Sequence, residues 1–250
     1  MVVSTLSEEE RVLSGVLRYV REAADADASL PGELKLSEWL DCTRLQVRVA
    51  LGQLQREGIV KRRQGAPTTV DPIALKLSSR FEQRMEYGEI LSRMGYTASL
   101  EILSTEIVDL PSDVEPLLSP LAQQKAIRIM LRWFADDRPA MVAEYILALP
   151  EGASLDPHQI TPTDSVFVSA HKLWGEAVAW EVVTAGVSTL DQSWAELLDL
   201  PVNSASKTWE VVGVTLSGER VFHSYEHHHP NLVMYSFVRT IRAPWGGPLH

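Results

Sequence analysis

Three consecutive stretches decide the reading of the chain: Glu33-Leu34-Lys35-Leu36-Ser37-Glu38-Trp39-Leu40, then Asp41-Cys42-Thr43-Arg44-Leu45-Gln46-Val47-Arg48-Val49-Ala50-Leu51, then Glu57-Gly58-Ile59-Val60-Lys61-Arg62-Arg63-Gln64-Gly65. They read as helix, tight turn, helix, glycine stop and basic hairpin, the layout of a winged helix-turn-helix. Leu36, Trp39 and Leu40 form the inner face of the first of these helices. Thr43 is a good N-cap for the second. Val47, Ala50, Leu51 and Leu54 then share one side of it, and Arg44, Leu45, Arg48 and Val49 the other. Gly58 stands where a C-terminal stop belongs. Ile59–Arg63 and Thr68–Val70 are strand-like and flank a turn at Gln64-Gly65-Ala66-Pro67.

An α-helix fits the major groove of DNA, where its outward face meets base edges. Arg44 and Arg48 lie one turn apart near the start of the helix, and each can grip guanine O6 and N7. Leu45 suits a thymine methyl. Thr43 and the nearby amides suit a phosphate. Lys35, Gln46, Arg62, Arg63 and Gly65 complete the expected DNA-facing set, with the basic hairpin along the backbone or minor groove. The same pattern also describes a small helical subdomain with a solvated basic face. Formal net charge is −10 over 250 residues. From Leu30 to Val70, however, seven basic residues stand against four acidic ones, leaving +3. Phosphate attraction acts locally and is screened beyond roughly 10 Å, so a basic module on an acidic body can still bind DNA.

Upstream, Val12, Leu13, Val16, Leu17 and Val20 have helical spacing, with Ser7 and Glu10 as a capping box. Downstream, residues 71–80 read as a linker between a DNA-binding domain (1–70) and a second domain (81–250). In the latter, Phe81–Gly95 reads as a helix. Strands are expected at Ser99–Val108, Ala126–Phe134, Ala140–Leu149, Ala177–Ser188, Lys207–Leu216, Arg220–His229 and Leu232–Ile241. Helices are expected at Ser165–Leu173, capped by Asp164, and at Leu190–Leu198. Strand runs with interspersed helices and short turns predict an α+β class with an antiparallel sheet. The single cysteine, Cys42, excludes an internal disulfide and fits a reducing cytoplasm. No run of about 18 apolar residues suggests a membrane span, and the acidic start does not look like a signal peptide.

The motif Leu30-Pro31-x-Glu33, Thr43-Arg44-x-x-Val47-Arg48-x-Ala50-Leu51, Gly58 and Gly65 resembles the GntR family of bacterial transcription regulators. The resemblance implies base contacts by Arg44 and Arg48 and a minor-groove contact by Gly65. Thr43 replaces a family Ser and Gln46 a phosphate-touching Thr. Ala66-Pro67 departs from the Gly-x-Gly wing, because proline has a fixed φ. Residues 81–241 resemble the UTRA effector domain of the HutC branch, related in fold to chorismate lyase. Arg132-x-Phe134-x-Asp136-x-x-Pro139…Glu144 resembles its Arg-x-Arg-x-x-Asp-Gly-x-Pro…Glu hairpin. Asp164-Ser165-Val166-Phe167 with Gly175 resembles its helix start, and Ser217-Gly218…Pro230-Asn231 its final hairpin. On this basis Arg132, Phe134, Glu144, Ser165, Phe167 and His228 are the effector-site candidates. Phe134, Phe167 and Phe222 stand at polar family positions, which implies an effector less polar than a phosphosugar. Arg132 and Glu144 could equally pair across the sheet.

Glu226-His227-His228-His229 could begin a metal site, but a solvated strand face is the simpler expectation, and no metal or cofactor is expected. The implied protein is a cytoplasmic, ligand-responsive regulator rather than an enzyme. It binds a palindromic operator as a homodimer, by the family's default as a repressor. The alternatives are a degenerate member with weak DNA binding and a chorismate-lyase-like enzyme.

Overall fold

The computed structural model describes residues 8–63, 65–76, 86–153 and 165–236. They divide into two compact units, one formed by the described residues up to 97 together with 234–236 and the other by residues 98–233.

The first unit contains α1 (Glu8–Asp25), α2 (Glu33–Trp39) and α3 (Arg44–Arg56), followed by a two-stranded ribbon of β1 (Val60–Lys61) and β2 (Thr69–Val70). Val12, Val16, Leu17 and Val20 of α1 are buried against Leu36, Val47, Leu51 and Leu54, as the helical spacing requires. Trp39 departs from its expected inward position. It is 52% exposed and lies 5.1 Å from Tyr19, ring to ring, because the inner stripe is filled by Leu36 and Leu40. Ser7 and the Glu10 side chain, read as the cap of α1, lie outside the described residues.

α3 has a complete start and stop. The Thr43 hydroxyl accepts from the Gln46 amide at 3.3 Å, and the Gln46 carboxamide oxygen accepts from the Thr43 amide at 2.8 Å. That reciprocal pairing satisfies two N–H groups at the helix entry. At the other end the Ile59 amide donates to Leu54 O at 2.9 Å and the Gly58 amide to Gln55 O at 3.1 Å. Gly58 has φ +78°, so this is a Schellman stop, and glycine is the residue that adopts it without strain.

The stretch read as a linker contains a short helix, α4 (Pro72–Lys76), whose start is capped by Asp71 Oδ1 through the amides of Ile73 and Ala74. α5 (Tyr87–Arg93) is the described part of the helix expected over Phe81–Gly95; residues 81–85 lie outside the described set. It belongs with the first unit rather than with the second domain. Ser14 Oγ donates to Ser92 O at 3.1 Å, and the Arg21 guanidinium sits 4.0 Å from the Tyr96 ring centroid. Ile90 and Leu91 are buried there.

The second unit is one antiparallel sheet with two helices. In chain order it contains β3 (Ala98–Asp109), β4 (Ala122–Ala135), β5 (Arg138–Pro150), α6 (Val166–Trp174), β6 (Val178–Thr189), α7 (Gln192–Leu198), β7 (Ala205–Thr215) and β8 (Arg220–His228). The strand order is β3-β4-β5-β8-β7-β6, two three-stranded meanders joined along β5 and β8. Ser165, not Asp164, is the N-cap of α6, and Asp164 lies outside the described residues. The strand expected over Leu232–Ile241 is absent over 232–235, and the remainder is described only as far as Ser236. Leu232 and Val233 are adjacent and both buried, which breaks the period-two burial of a half-covered strand.

β8 also overturns the expectation of a solvated histidine strand. Glu226, His227, His228 and His229 are all buried, with exposures of 2, 3, 0 and 6%. The reason is position: β8 is central, paired on both sides, and both of its faces are covered. Gly213 on β7 makes room for Phe222 of β8, because a Cβ there would lie 2.2 Å from Phe222 Cε1. Gly213→Ala is therefore expected to cost about 2 kcal/mol through overpacking. Chemical denaturation measures this, and an unchanged midpoint would show that the Phe222 ring relocates freely.

Candidate nucleic-acid interface and effector face

The exposed face of α3 carries the residues expected to read DNA. Leu45 is 68% exposed and Val49 55%. Arg44 and Arg48 lie beside them, with side chains 60% and 58% exposed. One residue organises the whole face. Glu33, at the first position of α2, accepts from Arg48 Nη2 at 2.9 Å and from its Nε at 3.3 and 3.4 Å. It also holds Arg62 from the ribbon in a short hydrogen bond, and Arg44 Nη2 stands 4.0 Å away. Three guanidinium groups from two elements thus converge on a carboxylate only 16% exposed. The hydrogen bond from Arg48 is the first cause that holds the Glu33 carboxyl below its usual pKa; the charges of Arg48 and Arg62 act in the same direction, and burial opposes them.

The ribbon is less available than its sequence suggests. Lys61 pairs with Asp71 at 3.2 Å, and Arg62 turns back to Glu33. Arg63, Gly65 and Lys35 are exposed. Gly65 has φ +77°, whereas neither Ala66 nor Pro67 takes a positive φ, so the turn needs its left-handed residue only at Gly65. Pro67 is accommodated for that reason. Gln46, expected to meet a phosphate, instead spends its carboxamide oxygen on the Thr43 amide and hydroxyl.

In the second unit the six effector-site candidates do not converge. Arg132, Phe134 and Glu144 lie on the sheet face against which α7 packs. Arg132 Nε donates to Glu101 at 2.9 Å and its Nη1 to Leu197 O of α7 at 3.2 Å. Its guanidinium lies 5.0 Å from the Phe134 ring centroid. Glu144 pairs with Arg128 at 2.7 Å, not with Arg132: the register sets both arginines diagonal to it, and Arg132 is taken up by Glu101 and Leu197 O. His228 lies on the other face, as does Phe222, against which Phe167 packs with ring centroids 5.9 Å apart. Ser165 stands at the start of the same helix as Phe167, where its hydroxyl accepts from the Val168 amide.

That second face holds an unanticipated polar network. Glu226 accepts from Ser224 Oγ at 2.7 Å and from Tyr145 Oη at 3.4 Å, and its other oxygen is 3.1 Å from His228 Nε2. Aromatic rings enclose it: Trp209 stands 4.6 Å from the His228 ring and Phe222 5.8 Å from Tyr145. A carboxylate 2% exposed needs such donors, since an unsatisfied buried charge costs several kcal/mol. His227, one residue away, faces α7 and stacks 4.5 Å from Trp194. Burial, helped by the charge of His228, lowers its pKa to about 4.

No family model matches the chain. The HTH-type transcriptional regulator Rv0792c of Mycobacterium tuberculosis is 27% identical over 236 residues, covering 92% of this chain and 84% of that protein. The crystal structure of PhnF from Mycobacterium smegmatis superimposes with a TM-score of 0.57 at 17% identity, covering 91% of this chain and all of PhnF. The fold is that of PhnF. YydK of Bacillus subtilis matches with a TM-score of 0.51 at 10% identity, over 95% of this chain and all of that one. The effector domain of PhnF taken alone matches at 0.52 and 12% identity, over 63% of this chain and 95% of that domain. The α+β architecture read from the sequence, a helix-turn-helix unit plus an antiparallel sheet unit, is thus the one observed.

With the PhnF-like sheet in place, the facing of Arg132 and Phe134 has a simple cause. The Arg-x-Arg-x-x-Asp-Gly-x-Pro motif leaves two residues between its second Arg and its Asp, whereas Arg132-x-Phe134-x-Asp136 leaves one. Counting back from Asp136 reaches Leu131 and Trp133, which share the face of Tyr145 and Glu226. A one-residue slip on a strand moves every side chain to the opposite face. In the first unit Glu33 was within the quoted motif but its role was not read. The available signal was its place in the Leu30-Pro31-x-Glu33 motif, at the first position of the helix that precedes the arginine-bearing one.

Proposed function

We propose that the chain is a transcription regulator of the GntR type, HutC branch, which binds a palindromic operator as a homodimer and responds to a small-molecule effector held by its second unit. The observation that carries the reading is the exposed N-terminal face of α3, where Arg44 and Arg48 project beside Leu45, with Arg48 hydrogen-bonded to Glu33 and Arg44 4.0 Å from it. The relative of Mycobacterium tuberculosis, named as an HTH-type transcriptional regulator, supports it over nearly the whole chain. One such helix reads too few base pairs alone, so two copies on half-sites about one helical turn apart follow. A cytoplasmic, non-catalytic protein with repression relieved by ligand fits this reading. Selection of bound DNA from random sequence by the full chain tests it. A recovered inverted repeat is the expected result. Failure to enrich any sequence at low salt would leave the degenerate, non-DNA-binding alternative.

The effector side of the reading rests on the face that holds Phe167, Tyr145, Phe222 and the Glu226–His228 pair. Its described surroundings are aromatic and acidic, which suits a ligand with an apolar body and argues against a phosphosugar. Titration calorimetry with glucosamine 6-phosphate is expected to give no heat of binding. Micromolar affinity for it would sink this part of the proposal.

A further inference from the structure

α3 holds no aspartate or glutamate, in a chain with 33 acidic residues and a net charge of −10. Its inner stripe is Val47, Ala50, Leu51 and Leu54, all buried. A second stripe runs along its outside. Leu45, Val49 and Gly52 follow at spacings of four and three, so they fall within an arc of about 60° on one side of the helix. Leu45 is 68% exposed and Val49 55%. Arg44 and Arg48 border the stripe along one flank, and the exposed Arg56 ends it, one turn beyond Gly52.

Gly52 is the least expected of the three, since a glycine inside a helix destabilises it relative to alanine. Other glycines of this unit have evident reasons. Gly15 lies against Leu40, and Gly58 and Gly65 take a positive φ. Neither reason applies to Gly52. It is helical, and outside the backbone of its own helix a Cβ there would meet only Arg56 Nη1, at 3.7 Å, an ordinary contact with the end of a flexible side chain. The packing of the chain therefore leaves the position open to alanine. A glycine there suits the close approach of something outside the chain to the helix backbone.

The chemistry along the helix selects what approaches. Three guanidinium groups, with no carboxylate on α3 itself, suit a polyanion. Two exposed aliphatic side chains beside them suit the apolar group that the major groove displays, the C5-methyl of thymine. We infer that Leu45 and Val49 seat the methyl groups of two thymines next to the guanines gripped by Arg44 and Arg48, and that at Gly52 the sugar-phosphate backbone rests against α3. The two side chains stand about 6 Å apart along the axis, against roughly 3.4 Å per base pair, so the thymines lie about two base pairs apart. The inference rests on the DNA-binding reading above and adds what each half-site contains.

The test uses the full chain and the operator recovered by selection. Each thymine of the half-site is replaced in turn, symmetrically in both halves, by deoxyuridine, which pairs alike but lacks the methyl. At two positions the replacement is expected to raise the dissociation constant roughly 15-fold, about fourfold for each buried methyl. In Leu45→Ala the penalty at one of these positions falls to within about twofold, and in Val49→Ala the penalty at the other. Gly52→Ala is expected to move stability and binding in opposite directions. The melting temperature rises by about 4 °C, because alanine is the better helix former, while operator affinity falls by roughly tenfold. A residue that served only the fold would move both together. A half-site without thymine, or deoxyuridine penalties that are absent or unchanged in Leu45→Ala and Val49→Ala, overturns the methyl contacts. Parental affinity in Gly52→Ala overturns the backbone approach. In each of these cases the DNA-binding reading stands, whereas a selection that enriches no sequence overturns both.

Discussion

Replacing Arg44 and Arg48 together by alanine is expected to lower affinity for the selected operator by roughly a thousandfold, the combined loss of two bidentate guanine contacts. Both side chains are well exposed and neither supports the core, so the fold should survive. The single variants should each relax sequence preference at one base pair of each half-site, whereas Lys35→Ala, if Lys35 meets phosphate, should weaken binding to all sequences alike and reduce the salt slope by about one. Glu33→Gln is the more telling variant. It keeps the shape but removes the charge that gathers Arg48, Arg62 and Arg44. If Glu33 merely neutralises excess charge, its loss should strengthen binding to any DNA. If it aims the guanidinium groups, specific binding should weaken while non-specific binding rises. Fluorescence anisotropy against the selected and a scrambled site separates the two outcomes, and tighter, equally selective binding by Glu33→Gln would refute the aiming role.

Between pH 6.5 and about 4 the second unit is expected to lose up to about 3 kcal/mol of stability through His227. Folded, its imidazole stays neutral until about pH 4, because burial disfavours the cation and His228 adds repulsion. Unfolded, it takes up a proton near 6.5. The unfolded state therefore binds the extra proton within that window, so the stabilisation is complete above 6.5, falls as the pH drops and levels off below 4. His229 acts in the same direction: its pKa is also lowered by burial, and its Nδ1 accepts from the amides of Asn231 and Leu232. Among the described residues His227 Nδ1 has no hydrogen-bond partner, and its ring lies between Trp194 and Tyr225. His227→Phe should keep that stacking and flatten the pH dependence of the urea midpoint. An acid limb as steep in His227→Phe as in the parent would assign the effect elsewhere.

The helix-turn-helix was legible because its signals are local: a cap at Thr43, a stripe of Val47, Ala50, Leu51 and Leu54, a stop at Gly58. The partner of the arginines was not, since Glu33 and Arg48 are fifteen residues apart and meet only when α2 crosses α3. In the sheet, strand existence was readable from alternation, but facing was not. Arg132 and Glu144 share the face under α7, whereas Phe167 and His228 belong to the opposite one; the motif that carries Arg132 and Phe134 is one residue short in its spacing, and on a strand one residue decides the side. The histidine run misled for a related reason. Polar composition suggested solvent, whereas the position of β8 between β5 and β7 is a property of the whole topology, invisible from residues 220–228 alone.

The joining of the two meanders along β5 and β8 also bears on the order of events in folding. Each meander can form from neighbours in sequence, but the seam unites residues about 80 apart, such as Val142 with His227 and Tyr145 with Ser224. Closing so long a loop is entropically slow, and contacts of this separation retard folding. The Tyr145–Ser224–Glu226 bonds cross that seam or border it, so they can form only in the last step. Until then β5 and β8 are two bare edges in the nascent sheet, and β8, the last of its strands in chain order among the described residues, is the one that closes it.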